Sequence, residues 1–325
     1  MTVFDAIIQG VVQGLTEFLP VSSSGHLAIS QHILGVSDSN LFFNVMLHLG
    51  TLAAVLVVYR KTVADLFMGF VSIIKDIAGK RFSYKNMSRE QRLAVMLIIG
   101  LLPLFLLFVP IPGSGGSNAK DLAEIWSGAT GYFIIVGIAL IFTSILLSIG
   151  IAANRITVKS SRGGEKRRRL KDGGSAGAGC RRLNAVDAGC IGIAQLFAAV
   201  FPGLSRSGST LAMGELRGLN KQTALDYSFV LGIPSILAAA VLEGKDAIAT
   251  GAIQSVEIAP LLIGVAASAV VGFFAILLFK WMLAKDRMWI FVVYTAVVGA
   301  AVIIIGIVEL QSGVNIFTGE ALQFV

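Results

Sequence analysis

The chain reads as an all-α polytopic membrane protein, with six transmembrane helices and two re-entrant helical hairpins related as an inverted-topology repeat. Three observations carry this reading. Of its 325 residues, 55% are hydrophobic and only 14% charged, with a mean hydropathy of +0.82. An ordinary soluble domain carries about 25% charged residues, so the bilayer is the expected solvent. Six apolar stretches are long enough to cross a core of about 30 Å as helices. Two further hydrophobic stretches are interrupted by a proline step and a Ser/Gly cluster.

The six spans run over 41–59, 93–112, 127–153, 222–242, 257–280 and 287–308. The broken stretches, 1–35 and 185–218, hold Pro20 to Gly25 and Pro202 to Ser209. A straight span would leave backbone groups unpaired there, and such breaks are tolerated only where they face protein or a watery cavity. Both are expected to enter and leave on one side. Residues 1–20 are apolar, but the first Lys or Arg is Arg60, so a signal peptide with its basic leader is not expected.

Charge placement agrees. With the N- and C-termini outside, the inside loops are 60–92, 154–184, the stretch around Arg217 and Lys221, and 280–287. They hold 23 of the 26 Lys and Arg residues. The outside loops hold Lys120 and Lys245, while Arg206 lies in the second hairpin. That is a strong positive-inside asymmetry. The net charge of +7 invites a nucleic-acid reading, but residues 154–184 alone carry +8. This linker reads as a solvated, flexible cytosolic loop with scope for contact with anionic lipid. It lacks interleaved aromatics, and no nucleic-acid partner is expected. Cys180 and Cys190 show no zinc spacing and read as free thiols.

A shift of 182 residues places Gly10 on Gly192, Gln13 on Gln195, Pro20 on Pro202, Ser23 on Ser205, Leu49 on Leu231 and Gly50 on Gly232, without gaps. Three spans separate the copies, so they enter from opposite faces. The halves are therefore 1–153 and 185–325, joined by the linker.

In the first hairpin, QGLTEFLPVSSSGH at 13–26, Gln13 and Glu17 share a helix face. A buried acid is costly unless paired or hydrated. Glu17 either snorkels and caps the turn or serves a site. Ser22, Ser23, Ser24 and Gly25 suit an anion through their hydroxyls and a helix N-terminus, although a Ser run also serves simply as a cap. His26 falls on the face of Ser23, a proton-transfer group beside a hydroxyl. In the second hairpin, PGLSRSGST at 202–210, Arg206 is flanked by Ser205, Ser207, Ser209 and Thr210. Its fork of donors suits phosphate oxygens, and Glu17 is its alternative partner in the protein. His48, Asp226 and Asn44 are secondary: they line the cavity or pair helices.

With these two motifs in this order, the sequence resembles the undecaprenyl-diphosphate phosphatase family, also known as bacitracin resistance protein, over nearly the whole chain outside 154–184. The resemblance implies a multi-pass enzyme of the bacterial inner membrane that converts undecaprenyl diphosphate to the monophosphate carrier of cell-wall synthesis, released on the outer face. It implies a divalent cation, Mg²⁺ or Ca²⁺, with Glu17 serving either that metal, alone or with Gln13, or the proton chemistry. Gln13 stands where many members carry a second Glu, which places more weight on Glu17. Ser23 and His26 match the catalytic Ser and His, and Arg206 the phosphate-binding Arg. Polyprenyl diphosphate and membrane lipids are the expected partners, and a homodimer is left open. Ser23 as nucleophile with His26 as base competes with His26 as nucleophile. A lipid-phosphate flippase, binding at the same site without cleavage, is the rival function.

Overall fold

The computed structural model describes residues 2–36, 41–83, 86–110, 118, 119, 121, 132–172, 183–249, 251 and 257–321. Eleven α-helices stand among them: α1 (Val3–Phe18), α2 (Ser23–Leu34), α3 (Leu41–Val58), α4 (Arg60–Ala78), α5 (Arg89–Leu101), α6 (Tyr132–Asp172), α7 (Ala185–Val200), α8 (Arg206–Leu216), α9 (Lys221–Ala249), α10 (Ile258–Ala284) and α11 (Trp289–Ser312). A 3₁₀ segment, Leu102–Phe108, continues α5. Its LPLFLLF sequence places Pro103 where an α-helical donor is required, and the chain tightens instead. The described residues form no β-strand beyond two isolated bridges.

Among the described residues, five segments are long and apolar enough to cross a bilayer: Arg89–Phe108, Phe133–Ile156, Lys221–Ala249, Ile258–Ala284 and Trp289–Ser312. A sixth is counted only if α3 and α4 are taken as one broken span, bent by 87°. Side chains such as Leu262, Val270, Phe274, Val297 and Ile304 point outward, each more than half exposed. In water such a surface is an aggregation hazard; in hydrocarbon it is ordinary. The chain is a multi-pass membrane protein.

Two expectations change. The stretch 60–92 was expected as a loop, yet α4 occupies most of it. Its run of Leu66, Phe67, Phe70, Ile73, Ile74 and Ile77 among Arg60, Lys61 and Lys75 gives it an apolar stripe that a loop does not need. The basic stretch from 154 does not begin as a flexible loop either, because α6 continues to Asp172. Residues 173–182, with Cys180, lie outside the described residues, as do 111–112, Lys120 and the start of the third span at 127–131. Cys190 is a free thiol.

The two broken stretches fold as short helix pairs. Helices α1 and α7 have 16 residues each, α2 has 12 and α8 has 11. At about 1.5 Å per residue the longest reaches only about 24 Å. Val3–Phe18 and Ala185–Val200 stand 182 residues apart, end to end, and both begin with a capping box. Thr2 caps against Asp5, and Asn184 against Asp187.

Small residues bring these helices against the spans. Helix α1 lies along α10, and α7 along α5. A Cβ added at Gly14 would fall 2.8 Å from the Ser268 carbonyl oxygen, and one at Gly10 would collide with the Gly264 carbonyl. In the other half, a Cβ at Gly192 would collide with the Gly100 carbonyl. Such backbone approach replaces the hydrophobic drive that lipid does not supply between helices. We expect Gly10→Leu to part α1 from α10 and lower stability by about 1–3 kcal/mol, the usual cost of overpacking. Thermal unfolding in detergent reads this, and a variant as stable as wild type would rule out the close approach.

Candidate active site

Both hairpin turns deliver a helix N-terminus to one cavity. Its volume is about 420 Å³, and its wall includes Glu17, Ser22, Ser23, Ser24, His48 and Arg206. Much of the remaining lining is apolar, with Leu104, Phe105 and Phe108 from the 3₁₀ segment and Ala238 to Ala240 from α9.

Ser22 caps α2, its Oγ accepting from the Gly25 amide at 3.2 Å. Its φ of +75° lies in the left-handed region that non-glycine residues avoid, a cost of about 1–3 kcal/mol that clusters at functional turns. Ser205 caps α8 the same way, accepting from the Gly208 amide at 3.1 Å. Both starts then present the positive end of a helix dipole to the cavity. Ser207 Oγ donates to the Leu19 carbonyl at 3.0 Å and ties the second turn to the first.

Glu17 is the hub. It is 5% exposed. One carboxylate oxygen pairs with the Arg206 guanidinium across 189 residues of sequence. The other accepts from Ser23 Oγ at 2.8 Å and from Gln13 Nε2 at 2.9 Å. Nδ1 of His48 lies 3.3 Å from that oxygen and 2.7 Å from Gln13 Nε2. A neutral ring with its proton on Nε2 accepts from Gln13, whereas a protonated ring donates to Glu17. Arg206 itself passes close to Gly232, where a Cβ would collide with its Nη1.

The structure sorts the expected site residues. It brings together Gln13, Glu17, Ser23 and Arg206, and it moves His48 from a secondary place to the heart of the cluster. Ser24 lines the cavity, 3.4 Å from Ser22 Oγ. It does not join His26 to Ser23. Nδ1 of His26 donates to the Ser22 carbonyl at 2.8 Å, which leaves Nε2 to accept from the Tyr294 hydroxyl at 2.8 Å. Side chains lean toward the N-terminus of their helix, so His26 folds back on its own turn, and Glu17 holds the Ser23 hydroxyl instead. Three hydroxyls of the second turn are also committed, while Ser209 Oγ is buried without a partner. Ser205 caps, Ser207 bridges the turns, and Thr210 Oγ1 donates to the Arg206 carbonyl at 2.8 Å. Gly25 gives its amide to the cap. Asp226 accepts from Tyr59 at 2.8 Å and from Gln222 at 2.9 Å, and Asn44 accepts from Gln31 at 3.2 Å. Those two join side chains outside the cavity.

Gly232, Gln195 and Glu243 were not singled out for the site, yet Gln195 and Glu243 line the cavity. The matches of Gly50 with Gly232 and Gln13 with Gln195 were the available signal. Among the described residues no group of three or more His, Cys, Asp or Glu stands at metal-binding spacing.

A family model described as bacitracin resistance protein BacA matches residues 6–301. A relative from Alkaliphilus metalliredigens named undecaprenyl-diphosphatase is 37% identical over 306 residues, covering 94% of this chain and 98% of its own length. Relatives of the same name come from Methanosphaera stadtmanae, 34% identical over 314 residues, and Carboxydothermus hydrogenoformans, 32% over 308. They cover 95% and 94% of this chain, and 99% and 98% of their own lengths.

Because Arg206 is confined by Gly232, Gly232→Val is expected to displace the guanidinium from Glu17 and cut the turnover of the site about 100-fold, the order of loss that follows a misplacement of about 1 Å. Gly232→Val with full turnover would show that the Arg206 position is not needed.

Proposed function

The chain belongs to the bacitracin resistance protein BacA family, and on that premise we infer that it hydrolyses undecaprenyl diphosphate to the monophosphate and inorganic phosphate. The names of its relatives support the substrate and the reaction. The observation in the chain that carries the reading is the Glu17 hub, which binds a seryl hydroxyl and an arginine on one carboxylate. A carrier has use for the arginine but not for a carboxylate poised on a serine.

The mechanism proposed is as follows. The polyprenyl tail lies along the apolar wall formed by Leu104, Phe105, Phe108 and the α9 alanines, with the diphosphate between the two helix N-termini. Arg206 turns from Glu17 to the phosphate oxygens, since a guanidinium fork fits both. The freed carboxylate of Glu17 takes the Ser23 proton as Ser23 Oγ attacks the terminal phosphorus. The Ser23 O–P bond forms, the bridging P–O bond breaks, and the lipid monophosphate leaves. Water then cleaves the phosphoserine, with Glu17 returning the proton. Gln13 and His48 hold Glu17 in place throughout. Positioning and charge stabilisation carry most of the barrier reduction in phosphoryl transfer. This assigns Glu17 the base role expected of His26, and leaves His26 to fix the turn that presents Ser23.

The finer architecture is proposed with it. The short lengths of α1, α2, α7 and α8 and their 182-residue offset support two re-entrant hairpins in an inverted repeat beside six spans, with α3 as the first span and α4 within the inside loop. The positive-inside asymmetry supports an inner-membrane placement with both termini outside.

A divalent cation fits as a partner of substrate and protein jointly. The Oε1 of Gln13 is buried without a partner, and together with the Glu17 carboxylate it would hold Mg²⁺ or Ca²⁺, the substrate phosphates completing the shell as Mg²⁺ commonly requires. The ion would neutralise charge on the phosphate oxygens. Replacing Gln13 by Glu is expected to lower several-fold the Mg²⁺ concentration needed for half-maximal activity; an unchanged requirement would remove Gln13 from the ion's surroundings.

Phosphate release from a polyprenyl diphosphate in detergent tests the function. Ser23→Ala, Glu17→Gln and Arg206→Ala should each lose at least about 100-fold, and His26→Ala about tenfold or less. Near-normal turnover of Ser23→Ala, or an acid-labile phosphoenzyme, would transfer the nucleophile to a histidine. Wild-type protein that binds the lipid without releasing phosphate would restore the carrier.

A further inference from the structure

Helix α7 repeats the frame of α1 at an offset of 182 residues, but not its contents. Gln13 and Gln195 hold the same place, exposed 0% and 1%. Nε2 of Gln13 donates to the Glu17 carboxylate at 2.9 Å and lies 2.7 Å from His48. At the matching places in the second half stand Ala199 and Val230, which offer no acceptor. Both polar ends of the Gln195 amide are accordingly buried without a partner. Natural proteins rarely leave a sealed amide unpaired, because it loses its water bonds and gains nothing in return. Gln195, Ala198 and Ala199 line the same cavity as Arg206.

The missing partner has a definable chemistry. In the first half this amide meets a carboxylate oxygen. In the second half the carboxylate is cut back to the methyl of Ala199, which lines the cavity beside Gln195. An oxyanion brought by a ligand fits there. Resting on the reading that the cavity takes a diphosphate, we propose that Gln195 is a substrate-binding residue whose Nε2 donates to a phosphoryl oxygen of the headgroup, in the place the Glu17 carboxylate holds in the other repeat. Arg206 then grips the headgroup from the α8 turn and Gln195 from the α7 face.

Gln195→Leu and the volume-matched Gln195→Met test this, assayed as full-length protein in detergent on a short-chain polyprenyl diphosphate. Both remove an unpaired buried amide, so unfolding temperatures should stay level or rise. KM should increase about tenfold, the usual weight of one hydrogen bond to a charged acceptor, with kcat changed by less than about threefold. Gln195→Glu, which sets a like charge against the phosphate, should raise KM further. Unchanged KM in both apolar variants beside an active wild type would overturn the inference and leave the hydrolase reading standing. Activity lost in step with a falling unfolding temperature would also overturn it, since that is a structural role. A wild type without phosphate release would sink the hydrolase reading and the inference together.

Discussion

The ion pair between Glu17 and Arg206 is the constraint around which the rest of the site is arranged. Each charge alone in a membrane interior costs several kcal/mol, and removing one partner of a buried pair strands the other. Pairing across the two turns fixes where they meet, and the surroundings make that meeting possible. Gly232 leaves room for the guanidinium, Ser207 ties its turn to the Leu19 carbonyl, and Gln13, Ser23 and His48 satisfy the second carboxylate oxygen. The same pair is readily exchanged. Phosphate offers the guanidinium the geometry that a carboxylate does, and in the mechanism proposed above its arrival frees the carboxylate just as Ser23 needs a base.

Packing by small residues serves this end. Two turns can share one cavity only if the short helices carrying them sit deep against the spans. Glycines on both sides of the α1–α10 and α7–α5 contacts allow this, with backbone meeting backbone. The frame is common to both halves, while the chemistry is divided. The first half carries the carboxylate, the serine and the imidazole, and the second carries the arginine and an amide without its acid.

Much of this was legible in the sequence because the signals were local. Apolar runs mark spans, a Pro step followed by Ser and Gly marks a break, and a gap-free offset marks a repeat. Glu17 and Arg206 stood out because each is an isolated charge in an apolar stretch. What was not legible depends on distance across the fold. Ser23 and His26 share a helical face, yet Ser23 bonds Glu17 and His26 bonds its own turn and Tyr294. His48 reaches Glu17 from another helix, which no spacing announces. Nor does composition separate a hydroxyl that meets a ligand from one that caps, as Ser205 does, or one that bonds back into its helix, as Thr210 does. Helix α4 and the extension of α6 read as loop from their charges, while the apolar stripe of α4 makes it a helix.

The distance between the two charged partners in sequence also sets an order in time. Glu17 and Arg206 are 189 residues apart. At a synthesis rate of about 5–20 residues per second, the acid waits roughly 10–40 seconds for its arginine. Gln13, Ser23 and His48 all emerge within the first 48 residues, so the nascent first half can settle its carboxylate by itself. Its imidazole is a provisional neighbour of the carboxylate that the arginine later supplements. A half-inserted chain thus holds Ser23 and Glu17 without Arg206, and the cluster is complete only when the second turn closes on the first.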